Sequence, residues 1–242
     1  MPDSKTENIK TSNLDRYGRR GLVFNFSGIF LALVVLLISA NDVHWINGWV
    51  YFGFLLSYEI IYTLLLMKIN PRLLNERAKV IKKGSRRFDK IFAVLYLPLY
   101  FMVMIVSGLD AVRYGWSTMP LWITLLGLVL VMPASYLSFW AMAVNSYFEC
   151  TVLVREYQKV CKSGPYRFVR HPGYAAGIVS FLAAPLILGS WWGLVPTAML
   201  GIMLVIRTAM EDRTLKKELP GYRGYTRTTR YRLIPGGLVR EK

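Results

Sequence analysis

The segment 164–174, GPYRFVRHPGY, holds the side chains of this chain that are best suited to chemistry. It brings two arginines, one histidine and two tyrosines to the border between a basic loop and a long uncharged stretch. Pro172 suits the first position of a helix, so we predict a helix that starts there with His171 as its cap. The free N–H groups of that helix start, beside Arg167 and Arg170, would bind an anionic ligand. The alternative is that these side chains only anchor a helix end among lipid headgroups.

A second polar cluster covers 207–236 and begins with Arg207, Glu211 and Asp212. Arg207 and Glu211 are four residues apart, so they share one face of a helix. A surface ion pair would have the same spacing, but Arg before Glu is the less stabilising order. Because ionised groups at a membrane edge are usually functional, we predict that this pair belongs to an active site.

Five long apolar stretches must position both clusters, since 54% of the 242 residues are hydrophobic. They cover 22–40, 43–67, 91–109, 114–148 and 172–206. The last is too long for one membrane span and is interrupted by GSWWG at 189–193, so we predict a hairpin of two short helices. The expected fold is all-α, with about six hydrophobic helices. Because the hairpin goes out and comes back, it returns Arg207 to the side of His171.

The net charge of +16 follows the membrane topology. With six spans, all Lys and Arg residues except Arg113 lie on one side, as the positive-inside rule requires. We therefore expect a cytosolic tail at 1–21, one membrane domain at 22–242 with its catalytic part at about 145–236, and a cytosolic C-terminus and active site. The charge then attracts anionic lipid headgroups, and no nucleic-acid partner is predicted.

Other kinds of site find little support. Cys150 and Cys161 fall on the cytosolic side without nearby histidines, which disfavours a disulfide and a metal site, so no metal is predicted. No dinucleotide-binding, P-loop, zinc-protease or nucleophile-elbow motif occurs. Glu59 lies deep in its span and could face a substrate, be protonated, or pair with Asn25.

The order and spacing of these motifs resemble the isoprenylcysteine carboxyl methyltransferases and the related phospholipid methyltransferases. The resemblance covers about 145–236 and rests on these residues: GPYR at 164–167, Arg170, His171, Pro172, Tyr174, Gly177, the acidic pair, Leu215, Tyr222, Tyr225 and Pro235. Residues 1–144 match only as generic spans. Asp212 stands where the family usually has Glu, and Gly173 is often bulkier in the family.

The family consists of integral membrane enzymes that use S-adenosylmethionine without a Rossmann domain. The resemblance implies that the cofactor is bound by Tyr166, Arg170, His171, Tyr174, Gly177, Glu211 and Asp212. It implies catalytic roles for Arg207 and Glu211, with Arg207 near the reacting carboxylate. A guanidinium can hold a carboxylate by two parallel hydrogen bonds.

The predicted function is S-adenosylmethionine-dependent methylation of a lipophilic acceptor, such as the carboxylate of a prenylated cysteine or a related small lipid. Methyl transfer is an in-line displacement that depends mainly on alignment. The second hypothesis is an NADPH-dependent membrane sterol or steroid reductase, because such enzymes have a similar C-terminal Arg-His-x-x-Tyr arrangement. The third is a transporter or scaffold, which would place more charge within the spans than Glu59 alone.

Overall fold

The computed structural model describes residues 14–82, 84–155 and 157–236, and the regular structure within these ranges is helical. The α-helices are α1 (Arg16–Ala40), α2 (Ile46–Ile69), α3 (Pro71–Arg77), α4 (Arg87–Gly108), α5 (Leu121–Val144), α6 (Pro172–Leu188), α7 (Leu194–Glu218) and α8 (Tyr222–Thr228). A π-helical turn, Leu109–Arg113, continues α4, and a 3-10 turn, Gly164–Arg167, precedes α6.

The six hydrophobic helices expected from the sequence are confirmed. Five of them, α1, α2, α4, α5 and α7, are long and apolar enough to cross a membrane, and α6 is shorter at 17 residues. Polar caps make some helices longer than their apolar stretches. Asp15 Oδ1 accepts a 2.7 Å hydrogen bond from Gly18 N, so α1 begins inside the segment assigned to the tail. Asp89 similarly accepts from Arg86 N and extends the start of α4.

The predicted break at 189–193 separates α6 from α7. Gly189 ends α6 in the left-handed conformation, with φ of 79°, which glycine adopts without strain. The second arm differs from the expected short helix, because α7 runs for 25 residues and continues through the polar cluster. Lys216 and Asp212, one turn apart and 3.2 Å from each other, stabilise this polar part.

The hydrophobic core lies where α1, α4, α5, α6 and α7 meet. Leu36, Met104, Val131, Ile187 and Leu200 are each at most 3% exposed there. The contact of α5 with α6 is the most extensive between two helices. Small residues allow such approaches, and a Cβ added at Gly127 would lie 2.9 Å from the backbone nitrogen of Ile187.

The two ends of the helical bundle are built differently. One end, here called the basic end because most Lys and Arg residues gather there, carries the start of α1, α3, α8 and the segment 145–171. The opposite end carries 109–120 and the turn between α6 and α7. At the opposite end, a Cβ at Gly108 would lie 2.0 Å from Ser39 Oγ, so α1 and α4 are in tight contact. At the basic end the start of α1 contacts α3 instead, through Gly18 and Asn75. Toward the basic end, residues of α1 and α4 line a common cavity.

A buried carboxylate fastens the opposite end. Asp110, in the π-helical turn, is fully buried, and its Oδ2 accepts hydrogen bonds from Ser117 Oγ and Ser190 Oγ, both at 2.6 Å. The same oxygen accepts from the backbone nitrogen of Trp192 at 3.1 Å. These contacts tie the hairpin turn to the end of α4 and fix where α7 starts its return.

Candidate active site

The two polar clusters meet at the basic end, as the hairpin predicts. The Tyr174 hydroxyl donates a 2.6 Å hydrogen bond to Glu211 Oε2 and accepts one of 2.8 Å from Arg207 Nε. His171 Nδ1 lies 3.8 Å from Glu211 Oε1. The first turn of α6 and one face of α7 thus form a single group of polar side chains.

The predicted helix start at Pro172 is confirmed, with His171 at the cap position. The backbone before it is held by the C-terminal strip, since Arg170 N donates to Tyr231 O and His171 N to Arg232 O, both at 2.9 Å. The His171 ring turns inward, and its Nε2 lies 3.4 Å from the hydroxyl of Tyr222.

Asp212 is the centre of a buried electrostatic network. Its carboxylate lies 2.9 Å from Arg170 Nε and 3.2 Å from both Lys216 Nζ and Arg232 Nε. Tyr222 OH donates to the same carboxylate at 3.0 Å. Burial raises the pKa of Tyr222, and the negative charge of Asp212 raises it further, so the phenol remains a hydrogen-bond donor.

Arg207 is 5% exposed and is held on several sides. Its Nη2 lies 2.8 Å from Asp89 Oδ1 and donates to Cys150 O at 2.6 Å, while Nε donates to Tyr174. The guanidinium carbon lies 4.3 Å from the centroid of the Phe92 ring. Among the residues that the structure describes, the remaining nitrogen, Nη1, is buried without a hydrogen-bond partner.

A cavity of about 1030 Å³ connects these groups. It is lined by every predicted site residue except Asp212: Tyr166, Arg170, His171, Tyr174, Gly177, Arg207 and Glu211. Its wall continues over apolar side chains of three helices, Phe24 of α1, Leu97 of α4 and Phe181 of α6. The cofactor and catalytic roles of the predicted residues stay predictions, and the position of Asp212 fits support of the site more than contact with a ligand.

An aromatic ring covers the start of α6. A Cβ added at Gly173 would lie 2.2 Å from Phe148 Cζ, so the small residue noted in the sequence makes room for this ring. Phe148 packs against two apolar clusters, one containing Tyr62 and the other containing Tyr222. Arg77 lies over the ring, with its guanidinium carbon 5.3 Å from the ring centroid.

Charged side chains fix the segment 145–155 beside the cavity. Glu149 pairs with Lys82 and Arg155, and both of these also contact Glu76, at 2.7 and 2.8 Å respectively. Burial alone would raise the pKa of Glu76, but the hydrogen bonds and charges of Lys82 and Lys79 outweigh it and lower the pKa to about 2.

Sequence reasoning missed Asp89, Phe92 and Arg77. Asp89 lies just before an apolar stretch, where an acidic residue is typical of a helix start. This local pattern does not indicate a contact with Arg207. The pairing of Glu59 that the sequence left open is resolved, since Asn25 Nδ2 donates to Glu59 Oε1 at 3.0 Å. Both side chains line the cavity.

Residues 122–220 match the sequence model of the phospholipid methyltransferase family. The resemblance to this family is confirmed. The matched region, about two-fifths of the chain, runs from α5 to the end of α7. The chain is also 21% identical over 141 residues to the uncharacterized protein YpbQ of Bacillus subtilis (strain 168), an alignment that covers 57% of this chain and 83% of the relative. With five helices that are apolar enough to span a membrane, the match supports a membrane methyltransferase.

Proposed function

We propose that the protein transfers a methyl group from S-adenosylmethionine to the carboxylate of a lipophilic acceptor. The observation that carries the proposal is one continuous cavity, which is lined both by polar groups, including His171, Glu211 and Arg207, and by an apolar wall. When bound, the cofactor supplies a methyl group on an electrophilic sulfonium. The protein has to align the acceptor with that methyl group and exclude water.

The polar end fits a cofactor that carries hydroxyl groups and a carboxylate. Glu211 uses Oε2 to bind Tyr174, while Oε1 is 3.8 Å from His171 and can accept a hydrogen bond from a ribose hydroxyl. The protonated Tyr222 hydroxyl and the His171 ring border the same space. Arg170 is held by Asp212 and by two backbone carbonyls, so its role is to build the wall of the site.

At the acceptor end, Arg207 has one donor nitrogen, Nη1, that is not engaged by the described residues. Because Arg207 Nε and Nη2 are engaged, the two-bond grip expected from the sequence is not available in this arrangement. Nη1 can still hold one oxygen of a carboxylate and leave the other to attack the methyl group. The acceptor is already an anion, so the reaction needs no general base.

An acceptor can reach this point from the lipid side. Phe24 of α1 and Leu97 of α4 line the cavity and are 61% and 41% exposed. Both belong to the halves of α1 and α4 that lie nearer the basic end. We place that end in the cytosol, because the basic residues gather there.

The first experiment separates the two candidate cofactors. Purified protein should bind radiolabelled S-adenosylmethionine and not NADPH, and His171→Ala should weaken the binding while the protein stays folded. Retained affinity in the His171 variant would contradict the assigned cofactor site. Binding of NADPH alone would favour the reductase hypothesis.

The second experiment tests the acceptor. N-acetyl-S-farnesylcysteine should accept the labelled methyl group, whereas its methyl ester, with the carboxylate blocked, should not. Arg207→Lys keeps the charge but cannot make the contacts to Asp89, Cys150 and Tyr174 together, so transfer should fall about tenfold or more with little change in cofactor affinity. Equal labelling of the acid and the ester would refute a carboxylate acceptor.

A further inference from the structure

We infer that Asp89 is a positioning residue, which orients Arg207 toward the acceptor and seats the segment 150–152 beside it. The inference rests on the proposed function of Arg207. Asp89 belongs to α4, outside the region that matches the methyltransferase family. It is only 3% exposed.

The two oxygens of Asp89 have different partners. Oδ2 accepts hydrogen bonds from the backbone nitrogens of Arg86 and Val152, both at 3.3 Å, which caps α4 and fixes the loop. Oδ1 faces Arg207 Nη2 at 2.8 Å. An ordinary helix cap explains Oδ2 but leaves the contact of Oδ1 with α7 unexplained.

The contact decides how the guanidinium is oriented. Asp89 and the carbonyl of Cys150 both hold Nη2, and Tyr174 holds Nε, so Nη1 is the nitrogen left for a ligand. Without the carboxylate, Arg207 would keep a buried positive charge with one anchor fewer. It would then turn toward other acceptors, and Nη1 would lose its position.

Asp89→Asn separates the two functions. The amide oxygen can still accept from the backbone nitrogens of Arg86 and Val152, which leaves the NH₂ group facing Arg207, donor against donor. The matched control is Asp110→Asn, the same change in a buried carboxylate that follows α4 at the opposite end. Asp89→Glu restores the charge.

We expect Asp89→Asn to weaken binding of N-acetyl-S-farnesylcysteine about tenfold or more. This corresponds to the loss of one charge-assisted hydrogen bond, from Arg207 Nη1 to the acceptor carboxylate. Binding of S-adenosylhomocysteine should change less than about twofold, and Asp89→Glu should recover part of the acceptor affinity. Asp110→Asn should lower thermal stability without changing either affinity. Equal effects of both Asn variants on acceptor binding, or an equal loss of both ligands in Asp89→Asn, would overturn the inference.

A second readout does not depend on the acceptor. In a Cys161→Ser background, Cys150 should react faster with a maleimide in Asp89→Asn, because the carbonyl of Cys150 is held through Arg207. Arg207→Gln should have the same effect, and the double variant should not exceed either one. Unchanged or additive rates would refute the positioning role. If the wild type bound no carboxylate probe but the rates behaved as expected, the proposed acceptor would fail and the Asp89 contact would stand.

Discussion

Asparagine at position 212 would remove the negative charge on which the C-terminal half of the site depends. Asp212 is fully buried among Arg170, Arg232, Lys216 and Tyr222. Removing one partner of a buried ion pair costs about 3–5 kcal/mol, because the other charge is left without compensation.

The surroundings of the three cations place the expected loss of stability at the lower end of that range. The side chains of Lys216 and Arg232 are 22% and 17% exposed, so they can turn toward water. Arg170 is fully buried but keeps two backbone carbonyls, of Thr229 and Arg230, at 3.0 and 3.1 Å. We expect Asp212→Asn to destabilise the protein by about 3 kcal/mol, which for a chain of this size lowers Tm by about 6–12 °C.

The neighbouring carboxylate provides the control. Glu211→Gln keeps an oxygen that can accept from Tyr174 and leaves no buried cation without its partner, so Tm should fall by less than about 4 °C. This variant should nevertheless bind S-adenosylmethionine more weakly. Thermal unfolding in detergent and radioligand binding, run on both variants, check the two statements. Similar Tm values for both, or a stable Asp212→Asn that has lost the cofactor, would refute this division of roles.

Three further predictions follow from packing, ion pairing and topology. Gly173→Ala should weaken cofactor binding, because the new Cβ would lie 2.2 Å from the ring of Phe148, whereas Gly201→Ala, on α7, would have no atom within 4 Å of its new Cβ and should be tolerated. The network around Glu76 should stabilise the fold fully above pH of about 4.5 and lose its effect as the pH falls toward about 2, because its pKa is lowered in the folded state. A cysteine at Arg113 should react with an impermeant reagent from outside a sealed cell but not from the cytosol.

Each of these predictions has a distinct contrary result. Equal cofactor affinities in the Gly173 and Gly201 variants would show that the Phe148 ring moves aside without affecting the site. If Glu76→Gln left the acid unfolding curve unchanged, the ion network would contribute nothing to stability. Labelling at Arg113 from the cytosolic side would invert the proposed topology.

The helices and the meeting of the two polar clusters could be predicted because chain continuity and apolar length determine them. A hairpin must return Arg207 to the side of His171 whatever its side chains contact. The contact of Asp89 with Arg207 could not be predicted, because it joins residues far apart in sequence and each has a simpler local interpretation. The same limit applies to Phe148 and Gly173, because only the folded structure shows that the Phe148 ring occupies the space that a larger side chain at position 173 would need.

The length of α7 and the surroundings of Asp212 illustrate a second limit. Apolar content gives the extent of a span but not of a helix that continues into polar sequence. The family resemblance assigned Asp212 to the cofactor, yet the identity of its partners depends on how the strip 230–232 folds back over α6. That return is made by long-range contacts, which local sequence patterns do not reveal.

Under the proposed function, the contact between Gly108 and Ser39 restricts the path of substrate and product. It closes α1 against α4 at the opposite end, and along α4 the cavity wall ends at Leu97. Under the proposed function, an acceptor that slides in between these helices would come from the monolayer at the basic end, and the methylated product would leave into that same monolayer. The protein would then alter the composition of one face of the bilayer, and a product found in the other face would have to be carried there by a separate flippase.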